Sequence, residues 1–169
     1  MHLRLPQLDV NLIALSMSNL ITTVESIARE AHAGQLYGDR DYVEAHVVPV
    51  VGTIARLGYD EEYQATGWLH DVLEDNKQFT SEVLICRGVP LRVVTAAELL
   101  TKRGEPHEVY LGKIATDELA TVAKYADSSV NLANTVLRAS EIDDARFRRW
   151  MTTYSGNIAY LLPRLPYIE

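Results

Sequence analysis

Apolar positions in this chain recur at intervals of three and four residues, the spacing of a buried helical face. Ile21, Val24, Ile27, Ala28 and Ala31 make one such stripe and predict a helix over about Leu20 to Ala33. Asp41 is placed to cap a second helix carrying Val43, Val47, Val50, Val51 and Ile54. Its valine content suits a strand, but its spacing and length suit a buried helix better. Asp60, followed by Glu61 and Glu62, marks a helix start and leads into Tyr63, Trp68, Leu69 and Val72. Thr80-Ser81-Glu82 opens a short helix that stops at Gly88, and Pro90 opens another through Val93, Val94, Ala97 and Leu100. Pro106 opens a helix through Val109, Tyr110 and Ile114, and Asp117 caps a long one from Glu118 to about Leu137. A last helix spans roughly Ile142 to Leu162. Glycine and proline punctuate these segments, and no convincing alternating strand pair is present. The expected class is all-α, a single compact helical bundle over 1–169.

Bulk properties narrow the function. The 169 residues fit one domain with a sizeable core. A formal net charge of -7 argues against sequence-independent binding of long DNA or RNA, which needs a basic footprint. An anionic small molecule stays compatible, because a bound cation inverts the local field. Cys86 is the one cysteine, so no disulfide forms within the chain and a cytoplasmic setting is expected, with Cys86 itself a small buried hydrophobe. The N-terminal stretch is broken by Asp9 and Asn11 and reads as a short arm and first helix, not a signal or membrane segment.

The informative segment is Trp68-Leu69-His70-Asp71-Val72-Leu73-Glu74-Asp75. On a continuous helix, positions 70, 71, 74 and 75 fall within an arc of about 140°. Burying four titratable groups together demands compensation, and a divalent cation is the natural compensator. His46 lies on an apolar helical face upstream, and Asp127 among core-type residues downstream. Three helices each directing His or Asp inward are improbable as an accident.

In these residues the chain resembles the HD superfamily of phosphohydrolases, whose pattern is a histidine, an adjacent His-Asp pair and a distant aspartate. It is similar in particular to the hydrolase domain of the Rel/SpoT alarmone enzymes and to the small alarmone hydrolases. Ala31-His32-Ala33-Gly34-Gln35, Leu69 to Asp75, and Lys124-Tyr125-Ala126-Asp127 with Asn131 carry the likeness, which covers roughly Ile21 to Thr135. The resemblance implies one metal ion, typically manganese, held by His46, His70, Asp71 and Asp127. Two neutral imidazoles and two carboxylates balance a divalent charge, and such an ion activates water and neutralises developing phosphoryl charge. Glu74 and Asp75, one turn on, are the candidates for orienting or deprotonating the water. Lys124 and Asn131 share a helix face with Asp127 and are candidate substrate contacts, as is Tyr110. His32 is expected to act behind the ligands, not as one of them.

Two departures stand out. Leu36-Tyr37 occupies the place of a Thr-Arg pair whose arginine stacks on guanine in the alarmone enzymes, so Tyr37 or Arg40 would have to serve instead. His46 lies four positions after Tyr42, where a spacing of three followed by proline is common in that family. Arg146, Arg148, Arg149 and Trp150 read as a solvated face with Phe147 and Trp150 packing inward. The expected function is removal of the 3′-diphosphate from a guanosine alarmone or similar nucleotide. The alternatives are a nucleotidase or nucleotide phosphatase of the same superfamily, or a catalytically silent module that binds a nucleotide or a partner protein. Self-association of the chain is compatible with each, and no membrane partner is expected.

Overall fold

One long helix runs through the middle of the molecule, and several of the other helices bury their apolar faces around it. The computed structural model describes residues 10–167, with side chains from residue 20 onward. The helices are α1 (Val10–Ala31), α2 (Val48–Arg56), α3 (Glu61–Leu69), α4 (Val72–Asp75), α5 (Ser81–Cys86), α6 (Leu91–Leu100), α7 (His107–Ile114), α8 (Glu118–Leu137) and α9 (Asp144–Leu161). The all-α expectation is met. Helix α8 packs against α2, α3, α6, α7 and α9. It buries Leu119, Val122 and Val130 with the small Ala120, Ala123 and Ala126, which let neighbouring backbones approach closely. Helix α1 packs on α3, and Val24, Ile27 and Ala28 are fully buried there.

The capping residues act as their types dictate. Asp60 Oδ1 accepts from Glu62 N at 3.0 Å, Asp117 Oδ1 from Ala120 N at 2.9 Å, and Asp143 Oδ1 from Arg146 N at 2.9 Å. Asp41 Oδ1 accepts from Glu44 N at 3.0 Å, but the element it opens is a π-helical turn, Val43–Val47, and α2 begins only after it. In that turn Val48 N donates to Val43 O. Pro49 has no N–H, so the α-helical bond to Ala45 O is impossible and the wider turn is accommodated there.

Three expectations need correction. The helix carrying His70 does not continue to Asp75: it ends at Leu69 and a four-residue helix, α4, starts after Asp71. A short antiparallel pair does exist, β1 (Leu36–Tyr37) and β2 (Arg40–Asp41). Its turn contains Gly38 at φ +71, where a Cβ would also meet Arg138 Nη1 at 2.7 Å, so both backbone and space call for glycine. Cys86 is exposed, because α5 buries only Leu84 and a residue two positions on points to the other side. The proposed N-terminal arm, before residue 10, lies outside the described residues. Among the described residues no helix is long and apolar enough to cross a membrane.

Ile54 joins α2 to this core and is fully buried, with its Cδ1 against Gly67 of α3. Ile54→Ala should destabilise the fold by about 2–5 kcal/mol and Ile54→Val by about 0.5–1.5 kcal/mol, read from urea unfolding midpoints at constant slope.

Candidate metal centre

His70 caps the end of α3 with its own side chain. Its Nδ1 lies 2.7 Å from Gly67 O. A carbonyl only accepts, so Nδ1 carries the proton and Nε2 presents the lone pair. The same bond takes up a carbonyl that the next helical N–H would have used, and the helix stops there. Asp71, at φ -110, then opens α4, and the break turns the neighbouring His and Asp toward one point.

The π turn delivers His46 to that point. His46 Nε2 lies 3.1 Å from His70 Nε2, 3.7 Å from Asp71 Oδ2 and 3.3 Å from Asp127 Oδ1. His70 Nε2 lies 2.9 Å from Asp71 Oδ2 and 4.0 Å from Asp127 Oδ1. Around an octahedral ion with bonds of about 2.1 Å, adjacent ligand atoms are about 3 Å apart and opposite ones about 4.2 Å. His46, His70 and Asp71 lie close enough together to hold one divalent cation among the described residues, and Asp127 approaches both histidines but stands outside that group of three. His46, His70 and Asp127 are 2%, 3% and 5% exposed. Asp71 is partly open to a cavity, leaving a face from which a ligand can approach.

Supporting groups surround the four. Tyr42 donates its hydroxyl to Asp71 Oδ2, and Lys124 Nζ lies 2.9 Å from Asp127 Oδ2. Asn131 Nδ2 donates to Asp127 Oδ1 at 2.5 Å and Tyr37 donates its hydroxyl to Asn131 Oδ1 at 2.9 Å. Lys124 and Asn131, read from the sequence as substrate contacts, thus both bind the Asp127 carboxylate. The Tyr37 ring stacks on His46 with centroids 5.3 Å apart and planes 4° off parallel. His32 is buried, with Nδ1 2.8 Å from Gln35 Oε1, and Gln35 Nε2 donates to Asp75 Oδ2 at 2.9 Å. Asp75 is therefore tied to the loop after α1, whereas Glu74 accepts from Lys102 N at 2.9 Å and faces the cavity with Asp71. Tyr110 is buried and donates to Leu100 O at 2.6 Å.

Two cavities adjoin the centre and share Tyr154 as a wall. The larger, about 380 Å³, is lined by Tyr37, Asn131, Arg138, Arg146, Trp150 and Tyr154 among others. Trp150 and Arg146 both border it; Arg146 is exposed, as expected of a solvated face, and its guanidinium lies 5.6 Å over the half-buried Trp150 ring. The smaller, about 200 Å³, has Asp71, Glu74, Lys102, His107, Lys124 and Asn157 in its lining. Arg40 lies outside both, on the exposed strand β2. Sequence reasoning gave no role to Tyr42, Lys102, His107 or Tyr154. Tyr42 had a signal, since it precedes His46 by four residues; the others meet the site only through the fold.

The charges are strongly coupled. Burial pushes the His46 imidazole down, but hydrogen bonding to Asp127 and Asp71 more than reverses it, and its pKa is pushed up to about 9. Burial and then the Asp71 carboxylate act in the same opposed way on His70, with a net rise. Burial raises both carboxylates, yet His70 holds Asp71, and Lys124 holds Asp127, well below the ordinary range. Burial, followed by the Asp71 carboxylate, keeps the Tyr42 phenol protonated far above the usual tyrosine value.

A folded-state pKa above the unfolded value means that the protonated imidazole stabilises the fold. For His46 that contribution is complete below its ordinary value of 6.5 and is lost as pH rises through about 9. Chelator-treated protein should therefore lose unfolding free energy between about pH 6 and about pH 9, and a divalent cation that occupies the group should abolish that loss by taking the proton's place. Tyr42→Phe, which removes the hydroxyl on Asp71, should weaken the binding of a divalent cation at this group by about 10–100-fold with the fold intact, measured by calorimetric titration. In the comparisons with known proteins, no family model matches the chain and no curated protein matches it significantly.

Proposed function

We propose that this chain is a metal-dependent phosphohydrolase of the HD type acting on a small phosphorylated nucleotide, with diphosphate removal from an alarmone-like nucleotide as the leading reaction. The observation that carries the reading is the meeting of His46, His70 and Asp71 at spacings suited to one cation, with the Asp127 carboxylate against both histidines. Structural ion-pair clusters also bury histidines and aspartates. They do not commonly leave one carboxylate open to a cavity with a second, Glu74, beside it.

His46, His70, Asp71 and Asp127 would hold the ion, manganese by resemblance, which when bound supplies Lewis-acid polarisation and neutralises charge on a phosphoryl group. The protein supplies the rest. Glu74, pinned by Lys102 N, is placed to take a proton from an attacking water on the cavity side. Asp75, bound to Gln35, holds the α4 segment against the loop after α1. Lys124 and Asn131 fix both oxygens of Asp127 so that its orientation survives ligand exchange. The larger cavity, of a size that suits a nucleoside, offers Trp150 and Tyr154 as flat surfaces and Arg138 and Arg146 as cations.

Orthophosphate release is the second reading. It is favoured by Tyr37, which occupies the place of the guanine-stacking arginine but is already stacked on His46 and bonded to Asn131. Identification of the product separates the two: pyrophosphate supports the alarmone-type reaction and orthophosphate the phosphatase. A nucleotide panel with added manganese should show turnover. His70→Ala should lose ion and turnover together, and Glu74→Ala should keep the ion and lose about 10²–10⁴-fold in kcat. Full activity in Glu74→Ala rules out its proton-transfer role, and inertness of the manganese-loaded protein toward the whole panel rules out the hydrolase.

A further inference from the structure

The two histidines of the centre are held in different ways. His70 Nδ1 donates to Gly67 O, which fixes its ring. His46 is 2% exposed, and its Nδ1 has no hydrogen-bond partner among the described residues. A ligating imidazole ordinarily donates its second nitrogen to an oxygen that sets the ring plane, and His46 is without that support. Its orientation therefore comes from the rings around it. Tyr37 lies parallel to it, with 4° between the planes and 5.3 Å between the centroids, the offset stack that aromatic rings favour. Tyr42 and His70 stand against it at 52° and 58°.

The Tyr37 ring is itself held in place. Its hydroxyl donates to Asn131 Oδ1 at 2.9 Å. Its strand pairs with β2, Tyr37 opposite Arg40, and just outside the pair Tyr42 N donates to Gln35 O at 3.0 Å. The turn at Gly38 packs against the Arg138 guanidinium, which Glu141 holds at 2.7 Å. Arg138 follows directly on α8, so the hairpin is clamped to the end of the helix that carries Asp127. One hairpin thus serves two members of the centre: Tyr42 sets its hydroxyl on Asp71, and Tyr37 lays its ring on His46. Tyr37 is only half-buried and stands apart from the hydrophobic core, so packing of the core does not account for it.

We infer that Tyr37 is a positioning residue of the metal centre: its stacked ring sets the plane in which His46 Nε2 faces a cation, in place of the hydrogen bond that His46 Nδ1 lacks. The inference rests on the reading of the centre as a cation site, and not on the substrate or the reaction. Rotation of the imidazole about its Cβ–Cγ bond is the motion that would swing Nε2 away from Asp71 and Asp127, and a parallel ring against one face opposes that motion. An aliphatic side chain of similar bulk fills the same space but presents no flat face.

Manganese, titrated calorimetrically into chelator-stripped protein, tests this without any nucleotide. Tyr37→Leu should weaken manganese binding by about tenfold or more, as when the support behind a ligand is lost. Tyr37→Phe keeps the ring on the clamped hairpin and gives up only the hydroxyl, so it should stay within about threefold of the wild type. Both variants should keep the wild-type urea midpoint, because the ring lies outside the hydrophobic core. A second readout needs no ion: the Tyr37 ring current acts on the carbon-bound ring protons of His46, so in proton NMR of the ion-free protein Tyr37→Leu should move those resonances and Tyr37→Phe should leave them near their wild-type positions. Wild-type manganese affinity in Tyr37→Leu, an equal loss in Tyr37→Phe, or unmoved His46 resonances in Tyr37→Leu overturns the role. Weakened binding in Tyr37→Leu of a protein that hydrolyses no nucleotide upholds the role and discards the hydrolase, whereas a wild type that binds no manganese discards the cation site and the role together.

Discussion

A carboxylate in the middle of the central helix is the constraint to which the rest of the centre answers. Asp127 is 5% exposed on α8, the helix that most of the other helices touch. An unpaired charge there would be prohibitive. Lys124 and Asn131 on the same helix, and His46 and His70 from two other elements, are gathered around its two oxygens. The bundle therefore closes around a polar point, and the surrounding apolar residues make every interaction at that point stronger than it would be in water.

That arrangement also explains the opposed shifts. Two imidazoles with their Nε2 atoms 3.1 Å apart are a poor pair when both are charged, and two nearby carboxylates are a poor pair when both lack a cation. Protons on the histidines satisfy the carboxylates, and a divalent ion held there would take the protons' place. Competition between proton and ion would follow from this donor set alone.

Much of the fold was legible because it is local. The long helix from Glu118 to Leu137 follows from the Asp117 cap and an apolar period, and both are written within a few residues. The four ligand candidates were legible as polar residues at helical spacing in apolar surroundings. The break at His70 was not, because it depends on one side chain bonding Gly67 O, and helical periodicity carries no mark of that bond. Cys86 was misplaced because a small residue type says little about which side of a six-residue helix it occupies. The partnership of His107 with Asn157 spans fifty positions and exists only once α7 and α9 have docked.

The π turn at Val43–Val47 has a consequence for how such a chain tolerates change. An additional residue within an ordinary helix rotates everything beyond it by about 100° and would carry a whole apolar face out of the core. Here the surplus is confined to a single wide loop of backbone, so Tyr42 and His46 keep their common direction while Val50 and Ile54 stay buried. The place where the spacing looks irregular is thus the place where the backbone absorbs the irregularity, with His46 and the hydrophobic interior both kept in position.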